Sequence, residues 1–301
     1  MNSHNNGTDI IDLDDDSLLF ALRDIAIQAG EEAVRLRNNG LTTEIKDDRS
    51  PVTNADKAAN KIICDALQTL APAIPIISEE NVDAWPEIET LKSGYYWLID
   101  PIDGTTPFAN NEDEFTINIA LMKDERPILG IIDAPKMEGG ITFMGVCDGE
   151  NQRAYKQPHG GDIGAIHTSS VTVPDKIKTI MSHRAFKGND TLPEGFAQPD
   201  FMPSSYKFCV LADGSYDAVA GFGPTSEWDI AAGHAIVKAA GGDVKQALGG
   251  EFRYNKPIAQ DKPRYENPAF IAVGDNVIEH RVREFAKQSE AKSVPPQSHS
   301  R

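Results

Sequence analysis

Asp100-Pro101-Ile102-Asp103-Gly104-Thr105-Thr106 follows an apolar run, Tyr95 to Ile99, that the pattern predicts as a strand. Two carboxylates and a hydroxyl therefore stand at the mouth of that strand. Hard divalent cations take oxygen ligands of this kind. Pro101 fixes its own φ, and Gly104 permits a turn closed to other residues. Two aspartates three residues apart can share a cation in a tight turn, whereas on an open solvated loop they diverge. Taken alone, the stretch reads as a strand-ending turn with an Asp-Gly signal rather than as a metal site. Three further segments decide between these readings.

The first lies far downstream, from Trp228-Asp229-Ile230-Ala231-Ala232-Gly233-His234 to Gly241-Gly242. Its apolar content and glycine stop predict a buried helix over 229–240 with Asp229 in the first turn, where an acid suits the helix dipole. The small residues Ala231, Ala232 and Gly233 imply that something packs closely against the start of this helix. His234 reads as a packing residue. The second segment, Ile76-Ile77-Ser78-Glu79-Glu80, is an apolar strand ending in two acids. In the third, Ser50-Pro51-Val52-Thr53-Asn54-Ala55-Asp56, Thr53 can cap a following helix with Asp56 in its first turn.

Together these segments resemble the inositol monophosphatase superfamily of metal-dependent, lithium-sensitive phosphatases, over about residues 14–285. A lone Asp-Gly-Thr would carry nothing; the four motifs in this order are specific. Within the superfamily the chain is most similar to the bacterial 3′(2′),5′-bisphosphate nucleotidases of the CysQ type. That finer resemblance rests on Lys46-Asp47-Asp48-Arg49-Ser50-Pro51-Val52-Thr53, on Glu114-Phe115-Thr116-Ile117-Asn118-Ile119-Ala120, on Ser204-Ser205-Tyr206-Lys207-Phe208-Cys209, and on Gly223-Pro224-Thr225-Ser226-Glu227-Trp228-Asp229. There are two departures. Thr106-Pro107-Phe108 stands where nucleotidases usually carry Lys-Glu-Phe, and is nearer the inositol phosphatase form. Ser182-His183-Arg184-Ala185 replaces the usual Ser-Arg-Ser-His. Both touch substrate recognition more than metal binding.

The resemblance implies a layered α-β-α-β-α sandwich and Mg²⁺-dependent phosphomonoester hydrolysis with two or three ions per site, Mn²⁺ being an alternative ion. By motif, Glu79, Asp100 and the Ile102 carbonyl would hold one ion, and Asp100, Asp103 and Asp229 a second. Glu80 and Asp56 would stand by a third ion or its waters. Thr105 would orient the attacking water with Glu79 as proton acceptor. Main-chain N–H groups of Gly104 and Thr105 would meet the phosphate. Lys46, Lys207, Ser182 and Arg184 are the candidates for substrate contact, a planar guanidinium suiting a phosphate. The implied substrate is small and phosphorylated: 3′-phosphoadenosine 5′-phosphate, a by-product of sulfate assimilation, or alternatively an inositol or other sugar phosphate. A reading from another class is a non-catalytic relative that binds RNA or a transcription complex. A homodimer is left open.

The formal net charge is −17, which weighs against nucleic-acid or anionic-membrane binding. It suits a phosphatase only if bound divalent ions reverse the sign locally. The rest of the excess, Asp14-Asp15-Asp16 and Glu87 to Glu89, is expected on solvated surface. With 40% hydrophobic and 25% charged residues the 301-residue chain has an ordinary soluble balance. It lacks a long apolar run, and its polar start has no signal-peptide core, which points to the cytoplasm; peripheral inner-membrane association, known for some nucleotidases of this type, has no visible anchor. Cys64, Cys147 and Cys209 lack metal or redox spacing and are expected to be buried.

Apolar periodicity predicts helices over 17–38 and 53–70, then strands over 74–78, 95–99, 115–122, 128–133 and 141–146 with links short enough for antiparallel pairing. A Gly- and His-rich seam spans 157–168. Beyond it strand and helix signals alternate: 178–181, 205–213, 216–219, the 229–240 helix, 243–246, 270–273 and 277–287. The expected organisation is a disordered start over 1–13, an α+β half over 14–156 with most metal ligands, an α/β half over 157–288 with Asp229, and a disordered tail over 289–301.

Overall fold

Both faces of the central sheet are buried, and this determines the layering. The computed structural model describes residues 11–46, 51–84, 94–170, 176–181, 192–223, 225–255 and 265–293. Seven strands form the sheet in sequence order: β3 (Ile76–Ser78), β4 (Tyr95–Asp103), β5 (Thr116–Lys123), β6 (Arg126–Ala134), β7 (Ile141–Asp148), β8 (Asn151–Pro158) and β9 (Gly164–Ala165). β3 runs parallel to β4, and every later pair is antiparallel. Alternate residues of β4 to β7 feed two different cores. Trp97, Ile99, Ile117, Ile119, Leu121, Leu129, Ile131 and Met144 pack beneath helices α1 (Ser17–Asn39) and α2 (Asn54–Leu70). Tyr96, Leu98, Ala120, Met122, Ile132 and Phe143 face the other way. Strands covered on both faces read as near-continuous apolar runs, as these do.

On that second face lie α4 (Tyr206–Ala212) and α5 (Ala231–Ala239). Their far side rests on a five-stranded sheet: β10 (Thr179–Met181), β11 (Asp200–Phe201), β12 (Ala218–Gly221), β13 (Asp243–Gln246) and β14 (Phe270–Val273), in the order β11-β10-β12-β14-β13. Helix α6 (Glu279–Ser293) closes the outer face of this sheet through Val282, Phe285 and Ala286. The result is the expected α-β-α-β-α sandwich. A separate two-stranded hairpin, β1 (Thr43–Ile45) with β2 (Pro51–Thr53), precedes α2.

The close packing implied by Ala231-Ala232-Gly233 is present on both sides of α5. A Cβ on Gly130 of β6 would lie 2.2 Å from the Ala232 carbonyl oxygen, and a Cβ on Gly233 would lie 2.4 Å from the Phe208 ring. The helix thus lies directly on the β6 backbone, and its N-terminal end is held in one place relative to β4.

Several expectations change. The large sheet continues through Ala165, beyond the expected boundary at 156 and into the 157–168 seam, because strand pairing uses backbone groups and β8 needs to bury only Ala154. Leu13 is buried and its carbonyl accepts from Asn151 and Arg153, so the end of the 1–13 stretch is tied down. Asp16 pairs with Arg153 rather than facing solvent alone. Helix α6 extends to Ser293, into the expected tail. Only Cys209 is fully buried; Cys64 and Cys147 are partly so. Glu87 to Glu89 lie outside the described residues. No helix among the described residues is long and apolar enough to cross a membrane.

Candidate active site

The decisive local feature is an irregularity in β4. The strand does not end at Ile99 but runs on through Asp103, with Asp100 opposite Asn118 and Asp103 opposite Thr116. Three steps along β4 thus match two along β5, which is a bulge. In a regular strand, residues three apart point to opposite faces. One extra residue at Pro101-Ile102 resets the alternation and turns both aspartates to the same side. The proline also belongs here, since a bulge tolerates a missing donor. The turn anticipated from sequence is therefore a bulged strand, and Gly104 (φ +92°) follows it at the start of a short helix, α3 (Thr105–Ala109).

Asp229 comes from the other half of the chain. It is not in the first turn of a long helix, as expected, but ends a separate 3₁₀ turn (Glu227–Asp229), and Ile230 separates that turn from α5. Its Oδ2 accepts from the Ser226 N–H at 2.7 Å in a capping box. Carboxylate oxygens of Asp100, Asp103 and Asp229 lie within 4.8 Å of one another. A cleft of about 210 Å³ is lined by these three with Glu79, Pro51, Ile102, Gly104, Thr105, Thr106 and Pro107.

The electrostatics are severe. Burial, then the charges of Glu79, Asp103 and Asp229, pushes the Asp100 carboxyl well above the usual carboxylate range. Burial and the charges of Asp103 and Glu79 do the same to Asp229. Burial also raises Glu79 and Asp56, and it carries Glu80 up to about 7. None of Asp100, Asp103 and Asp229 has an ion-pair partner among the described residues. Clustered oxygen donors that repel one another and lack a cation fit a hard divalent ion.

Beside this cluster, Thr105 Oγ1 lies 3.1 Å from both Asp56 Oδ1 and the Ile102 carbonyl. Asp56 is fixed in turn: its Oδ2 accepts from the Thr53 N–H at 2.8 Å and the Thr53 hydroxyl at 2.5 Å. The anticipated helix-start box at Thr53 is therefore formed, and the same carboxylate faces Thr105 with its other oxygen. One residue serves both the helix cap and the site.

These bulged and capped acids are the arrangement that the four sequence motifs encode. The chain belongs to the inositol monophosphatase family. The model of that family matches residues 14–279. Among relatives of this phosphatase family, the 3′(2′),5′-bisphosphate nucleotidase CysQ of Shigella flexneri is 34% identical over 249 residues, covering 82% of this chain and 95% of its own. The CysQ nucleotidase of Buchnera aphidicola is 36% identical over 245 residues, covering 79% and 88%. Among solved structures, CysQ from Bacteroides thetaiotaomicron superposes with a TM-score of 0.65 at 28% identity, over 87% of this chain and 99% of its own. An IMPase from Thermotoga maritima gives 0.69 at 21% identity, over 93% and 100%.

This family member brings most of its sequence-derived site residues together. Glu79, Asp100, Ile102, Asp103, Gly104, Thr105 and Asp229 line one cleft, with Asp56 touching Thr105 and Glu80 next to Glu79. Lys46, a candidate for substrate contact, has its amine on Glu80 (2.6 Å) and Glu79 (3.0 Å). Lys207 Nζ donates to the Ser204 carbonyl at 2.8 Å and stands over the Phe208 ring; it has no ion-pair partner among the described residues. Ser182 and Arg184 lie outside the described residues. His234 packs as expected, 3.0 Å from the Tyr254 hydroxyl, and burial pushes its imidazole down to about 4.

Two contributors escaped the sequence reading. The Ser205 N–H donates to Asp103 Oδ2, and its hydroxyl donates to the Asp229 carbonyl at 2.6 Å while accepting from Asn118 Nδ2 at 3.0 Å. Ser205 thus joins both aspartate-bearing segments, and Asn118 anchors it from β5. Their only signal was membership of nucleotidase-like stretches; a serine and an asparagine by themselves carry no motif.

Proposed function

We propose that this chain is a Mg²⁺-dependent phosphomonoester hydrolase that removes the 3′-phosphate from 3′-phosphoadenosine 5′-phosphate, giving AMP and phosphate. The observation that carries the reading is the convergence of Asp100, Asp103 and Asp229 within 4.8 Å beside the Thr105–Asp56 contact. The similarity to CysQ nucleotidases over most of both chains supports the substrate class.

Glu79, Asp100 and the Ile102 carbonyl would hold one ion, and Asp100, Asp103 and Asp229 another, with Glu80 and Asp56 beside a third. Bound there, the ions would supply an acidified water and a positive field for the phosphoryl oxygens. The protein's own groups do the positioning. Asp56 accepts the Thr105 hydroxyl proton, which leaves the Thr105 oxygen facing the cleft as an acceptor for the attacking water. Asp56 is thus the hydrogen-bond partner of Thr105, and Glu79, the proton acceptor expected from sequence, lines the same cleft. The N–H groups of Gly104 and Thr105, at the start of α3, would meet the phosphate. Water oxygen then bonds to phosphorus while the water gives up a proton along the Thr105–Asp56 hydrogen bond, the bond to the ribose oxygen breaks opposite it, and that oxygen takes up a proton from solvent water. Lys207, which has no ion-pair partner among the described residues, would meet a second phosphate. Catalysis of this kind is largely placement and electrostatics.

A second reading, an inositol or other sugar monophosphatase, is favoured by Thr106 and Pro107, which line the cleft where nucleotidases carry Lys and Glu. The deciding experiment measures phosphate release from 3′-phosphoadenosine 5′-phosphate, inositol 1-phosphate and fructose 1,6-bisphosphate, with Mg²⁺ and with chelator. Chelator-sensitive preference for the nucleotide is expected. Faster turnover of inositol phosphate would overturn the substrate assignment and keep the reaction.

A further inference from the structure

Lys46 holds a place that its sequence neighbourhood did not suggest. Its ammonium is 2.6 Å from Glu80 Oε1 and 3.0 Å from Glu79 Oε1. Glu79 lines the same cleft as Asp100, Asp103 and Asp229. The amine thus pairs with both glutamates at once, at the rim of the cleft. A positive point charge therefore sits at the edge of a nest of carboxylates that otherwise repel one another. The residue that carries it belongs to the β1–β2 hairpin, which joins neither of the larger sheets. β1 is solvent-exposed along its length, with Ile45 68% exposed. The lysine stem is long and flexible, so the amine can leave without disturbing either sheet.

We propose that Lys46 is a tethered counter-cation: it neutralises Glu79 and Glu80 while no divalent ion is held there, and it is displaced when one binds. A divalent ion on Glu79 and an ammonium on the same carboxylate repel each other, and the carboxylate's acceptor positions are shared between them. The lysine thus stabilises the metal-free site and weakens apparent metal affinity. Metal loading also changes its task, from neutralising carboxylates to being a free cation beside the cleft when an anionic substrate arrives. This rests on the reading of Glu79 and Glu80 as metal-facing residues.

The test is equilibrium binding of Mn²⁺ to the full-length, chelator-stripped protein without substrate, comparing wild type with Lys46→Met and Lys46→Arg. Lys46→Met is expected to bind Mn²⁺ about tenfold more tightly, and Lys46→Arg to stay near wild type. Unchanged or weaker binding by Lys46→Met, with wild type binding normally, overturns the proposal and leaves the phosphatase reading intact. A wild type that binds no Mn²⁺ overturns both. A second measurement needs no variant: acetic anhydride labelling of Lys46, read by mass spectrometry, is expected to speed up several-fold on Mn²⁺ addition. Unchanged or slower labelling counts against displacement.

Discussion

Asp229→Asn is expected to abolish phosphate release and, at the same time, to make the metal-free protein more stable. The Asp229 carboxylate lies within 4.8 Å of those of Asp100 and Asp103. Two unit charges at that separation repel by about 3.5 kcal/mol at an effective dielectric near 20, so two such pairs amount to about 7 kcal/mol with all three groups charged. The folded protein already relieves part of this, because burial and neighbouring charges push the Asp100 and Asp229 carboxyls well above the usual range and so favour their neutral forms. The remaining gain on removing one charge is about 1–3 kcal/mol, a rise in melting temperature of roughly 3–8 °C. Asparagine retains an oxygen for the Ser226 N–H, so the capping contact at 2.7 Å survives and does not confound the comparison. The assay is thermal unfolding in chelator at pH 8, repeated in Mg²⁺. Wild type should rise with metal; the variant should start higher and rise little. Phosphate release should fall about a thousandfold or more with the lost ligand. A metal-free variant less stable than wild type, or one with an undiminished metal-induced rise, would refute the argument that this cluster is held together for metal and against its own repulsion.

Stability of the metal-free protein is expected to fall as pH rises. Asp100, Asp229 and Glu79 are raised in the folded state and Glu80 reaches about 7, so the folded chain binds more protons than the unfolded one and loses that advantage from the ordinary carboxylate range upward through the raised values. His159, raised by its hydrogen bond to Asp133, acts in the same direction, since its contribution is complete below the ordinary histidine value and is lost above the raised one. Urea titrations from pH 5 to 8 test this; stability that rises over that interval in chelator would contradict it. Ser205→Ala leaves Asn118 Nδ2 and the Asp229 carbonyl without their partner, for a loss of about 2–4 kcal/mol, and should weaken Mn²⁺ binding because Asp229 is no longer tied to β5. Calorimetric titration that finds wild-type Mn²⁺ affinity would reduce Ser205 to a packing residue. Gly130→Ala should cost about 3 kcal/mol, because the new Cβ meets the backbone of α5 rather than a movable side chain. A chemical denaturation midpoint matching wild type would show that α5 is less tightly seated than it stands.

Much of this was legible from residue order alone. The apolar alternation of 95–99, 115–122 and 128–133 predicts β4 to β6, and short links predict their antiparallel pairing, because strand faces and hairpin geometry are local properties. The candidate ligand types were legible too, since aspartate, glutamate and threonine in those four motifs declare their chemistry by themselves. The capping box at Thr53 and Asp56 could be read directly from spacing. What no local reading supplies is direction. Asp100 and Asp103 face the same way only because the pairing register with β5 slips by one residue, and register belongs to two strands. Asp229 joins them only because α5 rests on Gly130, a contact between distant segments. Ser205 and Asn118 matter only through the bonds they make to those acids, and Lys46 is a counter-ion only because folding places it on Glu79 and Glu80. Chemistry that resides in one side chain could be read from the sequence; chemistry that depends on the distance between side chains far apart in the chain was decided by tertiary packing, because only packing sets that distance.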